Sequence, residues 1–315
     1  MKFSQSLKIG NVLVKNRLFL SPMVDVTDLA FRLLCRKQGA GMAYTEMIYI
    51  DAILHENSKT KSLMKTCKED KPLGLQVTGN SIEEFKKFAK LDLLHGYGLI
   101  DINCGCPSIR ITGNQAGSYL LKSPEKIGEM IKTLKDRDLT VTAKIRLGFN
   151  KNNSLEVVKE IEKAGADLIT VHTRLANQGA SVPADGKWIS KIKDRIGIPL
   201  IANGDIFSGK DVEKYLDLCD GVMIARGAIG NPFIFRGIER YFKTGSEKEI
   251  GKGEKISAFR DYLKLAEKHE VVDLGRVKHL GGSFLKGFDG AAKIRQKLMQ
   301  KKNFEDILEF IESFK

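Results

Sequence analysis

From Arg17 to Ala225 the chain repeats one pattern: a short apolar run, then a stretch whose apolar residues recur at helical spacing. The runs are Arg17–Met23, Gly41–Met47, Pro72–Val77, Gly98–Cys104, Thr140–Arg146, Asp167–His172, Ile198–Asn203 and Gly221–Ala225. Start signals support the helices between them. Asp28 precedes the spaced residues Phe31, Leu34 and Cys35, Ser81-x-x-Glu84 is a capping box, and Ser123-Pro124 sets a rigid first turn. Further helices are expected over 154–164, 185–195 and 211–218. Apolar strands that alternate with helices pair in parallel, because a parallel neighbour needs a crossover connection. Eight such units predict a closed (β/α)8 barrel of the TIM type, with an open doubly wound sheet as the competing α/β architecture.

The polar residues fall where a barrel places chemistry. Met23, Glu46, Gln76, Asn103, Lys144, His172, Asn203 and Arg226 each stand at or just past the C-terminal end of a run. After residue 240 the strand signals stop and a Lys/Glu-rich helical pattern continues to the end. The reading is a barrel over 1–240 and a small helical domain over 241–315, with Gly245-Ser246 and Gly251-Lys252-Gly253 as the hinge.

Charge bears on partners. The net formal charge is +13, which favours a polyanion, nucleic acid foremost. From Arg276 to Lys302 the only acid is Asp289, among Lys278, Lys286, Lys293, Arg295 and Lys297. A run of charge is more often just a solvated face. No apolar run is long enough to span a membrane and the N-terminus lacks a secretory pattern. Five cysteines without framework spacing favour a reducing cytoplasm.

The densest chemistry is Asp101-Ile102-Asn103-Cys104-Gly105-Cys106-Pro107. No second Cys or His pair has metal-ligand spacing, so no metal is expected. Cys104 alternates with Asn103 and reads as a packing residue. Cys106 lies just past the strand between Gly105 and Pro107, on a rigid loop. A free thiol is mostly protonated at neutral pH, and no adjacent His activates this one, so proton donation weighs equally with nucleophilic attack. Lys144, in an apolar strand, either forms a Schiff base or stabilises an anion. His172 ends the neighbouring strand. Asn203-Gly204-Asp205 and Ala225-Arg226-Gly227 occupy the usual phosphate corner of a barrel. Pro22, Met23, Val24 and Gln76 add an apolar wall and an amide, which suits a planar heterocycle with a phosphate tail, such as FMN.

Those stretches together resemble the flavin-dependent tRNA-dihydrouridine synthases over nearly the whole chain. The matching motifs are Pro22-Met23-x-x-x-Thr27-Asp28, Thr45-Glu46-Met47, Asp101-Ile102-Asn103-x-Gly105-Cys106-Pro107, Lys144-Ile145-Arg146-Leu147-Gly148, His172-x-Arg174 and Asn203-Gly204-Asp205-Ile206. Met223-Ile224-x-Arg226-Gly227-Ala228 and Lys278-His279-Leu280 complete the series. The resemblance implies an FMN enzyme that uses NADPH or NADH to reduce uridine in the tRNA D-loop, with tRNA as partner. It implies Cys106 as proton donor, with Lys144, His172 and Gln76 around the flavin ring. Asn203, Gly204, Asp205, Ala225, Arg226 and Gly227 would hold the phosphate. Asn103 would meet the substrate base, and Lys278 belongs to the matching helical domain. Apart from the resemblance, Arg110 is expected at a substrate phosphate, and Lys293 and Arg295, from the basic segment, at the tRNA. Four features depart from the family pattern: Cys104 replaces a larger apolar residue, Ile109-Arg110-Ile111 a Lys-rich stretch, and Val277 an Arg. Two extra residues separate Asp185 from Trp188. Rival readings are a pyrimidine-base (dihydroorotate-like) oxidoreductase, a Lys144 aldolase, and an RNA-binding pseudoenzyme.

Overall fold

The computed structural model describes residues 4–215 and 217–314. A hairpin of β1 (Leu7–Ile9) and β2 (Val12–Val14) comes first. There follow β3 (Leu18–Leu20), α1 (Leu29–Lys37), β4 (Ala43–Tyr44), β5 (Ile48–Tyr49), α2 (Ile50–Leu54), α3 (Ser58–Leu63), β6 (Leu73–Thr78) and α4 (Ile82–Phe88). Next are β7 (Leu99–Cys104), α5 (Ile109–Thr112), α6 (Pro124–Lys135), β8 (Val141–Arg146), α7 (Ser154–Lys163), β9 (Leu168–His172) and α8 (Lys187–Lys193). The series ends with β10 (Leu200–Asn203), α9 (Gly209–Glu213), β11 (Gly221–Ile224) and α10 (Ile234–Thr244).

The strand order β3-β11-β10-β9-β8-β7-β6-β4 is parallel throughout, and a bridge between Phe19 and Met42 closes it. This is the expected (β/α)8 barrel. The second strand is split: β4 and β5 both pair with β6. Capping chemistry sets the helix starts. Asp28 accepts from Phe31 N at 2.8 Å, and Ser81 from Glu84 N at 3.3 Å. Ser81→Ala should cost about 1 kcal/mol, read as a lower urea midpoint with an unchanged slope. The expected helix over 185–195 is confined to Lys187–Lys193. The helix placed over 211–218 starts earlier and is shorter, because Ser208 caps it at Gly209 and it ends at Glu213.

Barrel strands are buried on both faces, which is why they read as unbroken apolar runs. Leu75, Ile100, Ile102, Val141, Ala143 and Ile145 belong to the large core under the helices. The inward residues form a second cluster: Phe19, Tyr44, Leu99, Leu168, Ile201 and Met223 pack against Leu7, Ile9, Val12 and Val14. The hairpin therefore plugs the lower end of the barrel, a role its short strands do not advertise. Gly74 leaves space for the inward layer above this plug, since a Cβ there would clash with the Tyr44 ring. Two-residue steps along the same faces lead upward from this apolar layer to polar groups. Leu99 gives way to Asp101 and Asn103, and Leu168 to Thr170 and His172.

Beyond α10 lie α11 (Lys252–Lys268), α12 (Leu274–Phe284), α13 (Ala291–Gln300) and α14 (Phe304–Glu312). They dock on α1 through stacked rings of Phe259, Tyr262 and Phe284, with Phe31 edge-on to Phe284 at 6.4 Å. Among the described residues no helix is long and apolar enough to cross a membrane, and no group of ligands is arranged to hold a metal ion.

Candidate active site

At the C-terminal ends of the strands lies a cleft of about 540 Å³. Pro22, Met23, Val24, Lys144, His172, Asn203, Gly204, Asp205, Ala225 and Arg226 line it, all residues singled out in the sequence. Arg146, Arg174 and His279 line it as well. Among the described lining residues, Lys144, Arg146, Arg174 and Arg226 stand against one carboxylate, Asp205. Such a surplus favours a multiply charged anion.

Strand register brings the cations together. Asn103 pairs with Lys144, Lys144 with Thr170, and Arg146 with His172. Burial, reinforced by Arg146, lowers the Lys144 pKa to about 8. Lys144 Nζ donates to Asn203 Oδ1 at 3.2 Å, while Asn203 Nδ2 donates to Met223 O at 2.7 Å. Burial and the nearby cations Lys144, Arg146 and Arg174 push His172 down to about 2, so its ring is neutral. Arg174 Nη1 lies 3.2 Å from His172 Nε2. A guanidinium only donates, so Nε2 accepts and the proton sits on Nδ1.

Loops after β10 and β11 form the anion corner. Asp205 Oδ2 accepts from Arg174 Nη2 at 2.5 Å and from Ala184 N at 2.9 Å. Its Oδ1 accepts from Arg226 Nη2 at 2.6 Å. Asp205 thus orients two arginines, and its acceptor-only carboxylate is unsuited to touch a phosphate itself. Gly204 has φ +132°, and a Cβ there would meet Ala184 Cβ at 2.9 Å. Gly227 lies outside the cleft lining and lets the two loops close, since a Cβ would clash with Ile206 O.

Cys106 is half-buried beside the cleft, within electrostatic reach of Lys144 and Arg146. Its loop is clamped on every side. Asn103 Oδ1 accepts from Gly105 N at 3.1 Å and Cys106 N at 2.9 Å. Arg146 Nε donates to Gly105 O at 2.9 Å, and Ser118 N to Cys106 O at 3.0 Å. Cys104 is fully buried on the other face of β7, where burial drives its thiol pKa far up. Gln76 and Asn103 are buried outside the cleft lining, their amides bonded to each other at 2.9 Å. Arg110 is exposed on α5, also away from the lining.

The helical region closes one side of the cleft with His279. Arg276, one helical turn earlier, is 8% exposed and does not belong to an open basic face. Its Nη2 lies 2.8 Å from Glu46 Oε1 and its Nη1 3.4 Å from Asp28 Oδ2. Tyr262 Oη donates to Asp28 Oδ2 at 3.0 Å, and Asp25 N to Glu46 Oε2 at 2.7 Å. This latch joins α11 and α12 to the loop that carries Pro22, Met23 and Val24. Lys293 is exposed, while Lys278 and Arg295 donate to Met299 O and Leu285 O; none of the three lines the cleft.

A closed parallel barrel with its cleft at the C-terminal rim and a cationic anion corner defines the enzyme class of (β/α)8 barrels. Solved structures with this fold include histamine dehydrogenase from Rhizobium sp. 4-9, with a TM-score of 0.57 at 15% identity over 84% of this chain and 51% of that one. The old yellow enzyme homologue from Zymomonas mobilis is similar, with a TM-score of 0.53 at 12% identity over 80% and 95%. The sequence narrows the class. The family described as Dihydrouridine synthase matches residues 19–315. A probable tRNA-dihydrouridine synthase of Aquifex aeolicus is 32% identical over 312 residues, 96% of each chain. The tRNA-dihydrouridine synthase B of Pasteurella multocida is 35% identical over 275 residues, 85% of this chain and 83% of that one. The chain belongs to the dihydrouridine synthase family and is an oxidoreductase of that family.

Proposed function

We propose that this enzyme reduces uridines of the tRNA D-loop to 5,6-dihydrouridine, with FMN in the cleft and NADPH or NADH as the reductant. The observation that carries the reading is the pairing of a cationic phosphate-sized corner with a clamped thiol at one barrel rim. The cleft residues fit FMN. Arg226 and the Gly204 turn suit its phosphate, Pro22, Met23 and Val24 offer an apolar wall to a planar ring, and Lys144 and neutral His172 stand ready for its polar edge. When bound, FMN supplies the hydride that saturates the uracil ring at C6.

The remaining work falls to the protein. Negative charge gathers on C5 and the uracil carbonyl, and Cys106 gives its proton to C5. Arg146 and Lys144 steady the thiolate that is left. The target base has to leave its stack to reach this rim. In this reading residues 1–240 do the chemistry, and the helical region from 241 onward, with Lys278, Lys293 and Arg295, holds the tRNA by its phosphates. Exposed Arg110 meets the substrate near Cys106.

The test is reconstitution. Purified protein should carry a yellow chromophore and, given NADPH, form dihydrouridine at defined D-loop positions of a tRNA transcript, mapped by mass spectrometry. Colourless protein that does not take up FMN would remove the assignment.

Cofactor affinity should depend on pH through Lys144. The ammonium is present below its pKa of about 8 and lost above it, and an anion binds better to the charged form. FMN affinity should therefore fall as pH rises past 8, by no more than about tenfold per pH unit. Fluorescence-quenching titrations of the apoprotein would show it, and Lys144→Met should flatten the curve.

A further inference from the structure

The acid loop is reached by a buried chain of hydrogen bonds that begins on Asp101. Thr142 Oγ1 donates to Asp101 Oδ1 at 2.6 Å, and Gln76 Nε2 donates to Asp101 Oδ2 at 2.7 Å. Asn103 Nδ2 then donates to Gln76 Oε1 at 2.9 Å. Asn103 Oδ1 takes the N–H groups of Gly105 and Cys106. Asp101 and Gln76 are each 1% exposed, and Thr142 is fully buried. None of the three lines the cleft.

An amide has a donor end and an acceptor end, so each link dictates the next. An ionised carboxylate only accepts, so Gln76 must turn its NH₂ toward Asp101. That leaves its oxygen for Asn103, whose NH₂ must point back. Asn103 then presents oxygen to the two loop N–H groups, which only donate. Reversing either amide would set donor against donor in a buried site, a costly arrangement. The carboxylate at one end and the loop at the other agree on one orientation.

We propose that Asp101 and Gln76 are positioning residues that fix the Cys106 loop through the polarity of this chain. The inference rests on the reading of Cys106 as the acid. It assigns Gln76 a task inside the barrel wall and Asn103 a task under the loop, and each NH₂ group keeps a second hydrogen for the rim.

Polarity makes a distinctive test, because the chain needs one carboxylate but tolerates it at either of two links. Gln76→Glu places a second carboxylate against Asp101, whose pKa burial already raises to about 6. A proton shared between the two relieves the clash at low pH. Turnover of uridine relative to the parent should therefore fall with rising pH, to about 100-fold below it at pH 9. Adding Asp101→Asn restores the order. The amide now at position 101 donates to the carboxylate now at position 76, which still accepts from Asn103. The oxygen of that amide still accepts from Thr142. The double variant should recover to within about tenfold of the parent, with the change in kcat rather than in KM for tRNA. At pH 9, a double variant no more active than Gln76→Glu, or a Gln76→Glu as active as the parent, overturns the proposal.

Should Gln76→Glu fail to fold, Asp101→Leu removes the carboxylate without adding charge. It should raise the rate of Cys106 alkylation by iodoacetamide, followed peptide by peptide, as the loop loosens. An unchanged alkylation rate also counts against the chain. This readout needs no tRNA and no turnover, so it separates failure of the proposal from failure of the functional reading.

Discussion

With Cys106 replaced by alanine, the enzyme should keep its flavin and lose dihydrouridine formation by about 10²- to 10⁴-fold, the range for removal of a general acid. Flavin should stay because Cys106 is outside the lining of the cleft. Turnover should fall because no second acid can substitute. Cys104, two residues earlier, is fully buried on the opposite strand face, and burial drives its pKa far above the ordinary range. His172 is neutral, with Nε2 taken by Arg174, and Lys144 is turned toward Asn203, to whose Oδ1 it donates. Cys106→Ser should retain a little more activity than alanine, since a hydroxyl has a proton but releases it less readily. Rapid mixing of reduced enzyme with tRNA is the measurement. A single-turnover rate for Cys106→Ala equal to that of the parent would falsify the role.

The largest effect on stability should come from Arg276→Met, at about 3–5 kcal/mol. The variant strands two carboxylates, Asp28 and Glu46, which are 5% and 2% exposed. Burial already raises both carboxyl pKa values against the pull of Arg276, and its loss would raise them further. The sign follows from proton counting. At low pH both carboxyls are protonated in the folded and unfolded chains, and no charge is buried. As pH climbs through the interval between the ordinary and the raised values, the unfolded chain ionises first and stability falls. Arg276→Met should therefore be hurt most near neutrality and recover on acidification. Urea midpoints at pH 5 and pH 7.5 would show it, and equal losses at both would sink the account. Adding Glu46→Gln should return part of the loss, since a glutamine oxygen can still accept from Asp25 N.

How much of the molecule is legible in its sequence depends on whether a residue's neighbours are local. The barrel is, because parallel strands buried on both faces leave unbroken apolar runs, and helix caps leave short polar signatures. The rim is, because strand ends follow from the runs. The plug is not: three-residue strands carry too little pattern. Arg276 reads as part of a basic face, since a charge run does not disclose which member turns inward. A partial signal exists, as Arg276 shares its helix with buried Val277 and Leu280. Arg146 does not stand out as a cleft residue either. Yet it lies two residues past Lys144, on the same inward face of β8. Gln76 and Asn103 read as ligand contacts because strand-end amides suit ligands. Only the fold reveals that they bond to each other, to Asp101 and to the Cys106 loop.

The Asp28–Glu46–Arg276 latch also decides what can be exchanged between relatives. Under the proposed reading the helical region holds the tRNA, and a chimera that swaps everything after α10 is the obvious way to test it. Such a graft would part Arg276 and Tyr262 from the two carboxylates they satisfy, directly behind the loop that walls the cleft. A workable transplant carries the turn before α1 and the kink between β4 and β5 along with the helices. Helical region and catalytic wall are in that sense inherited together.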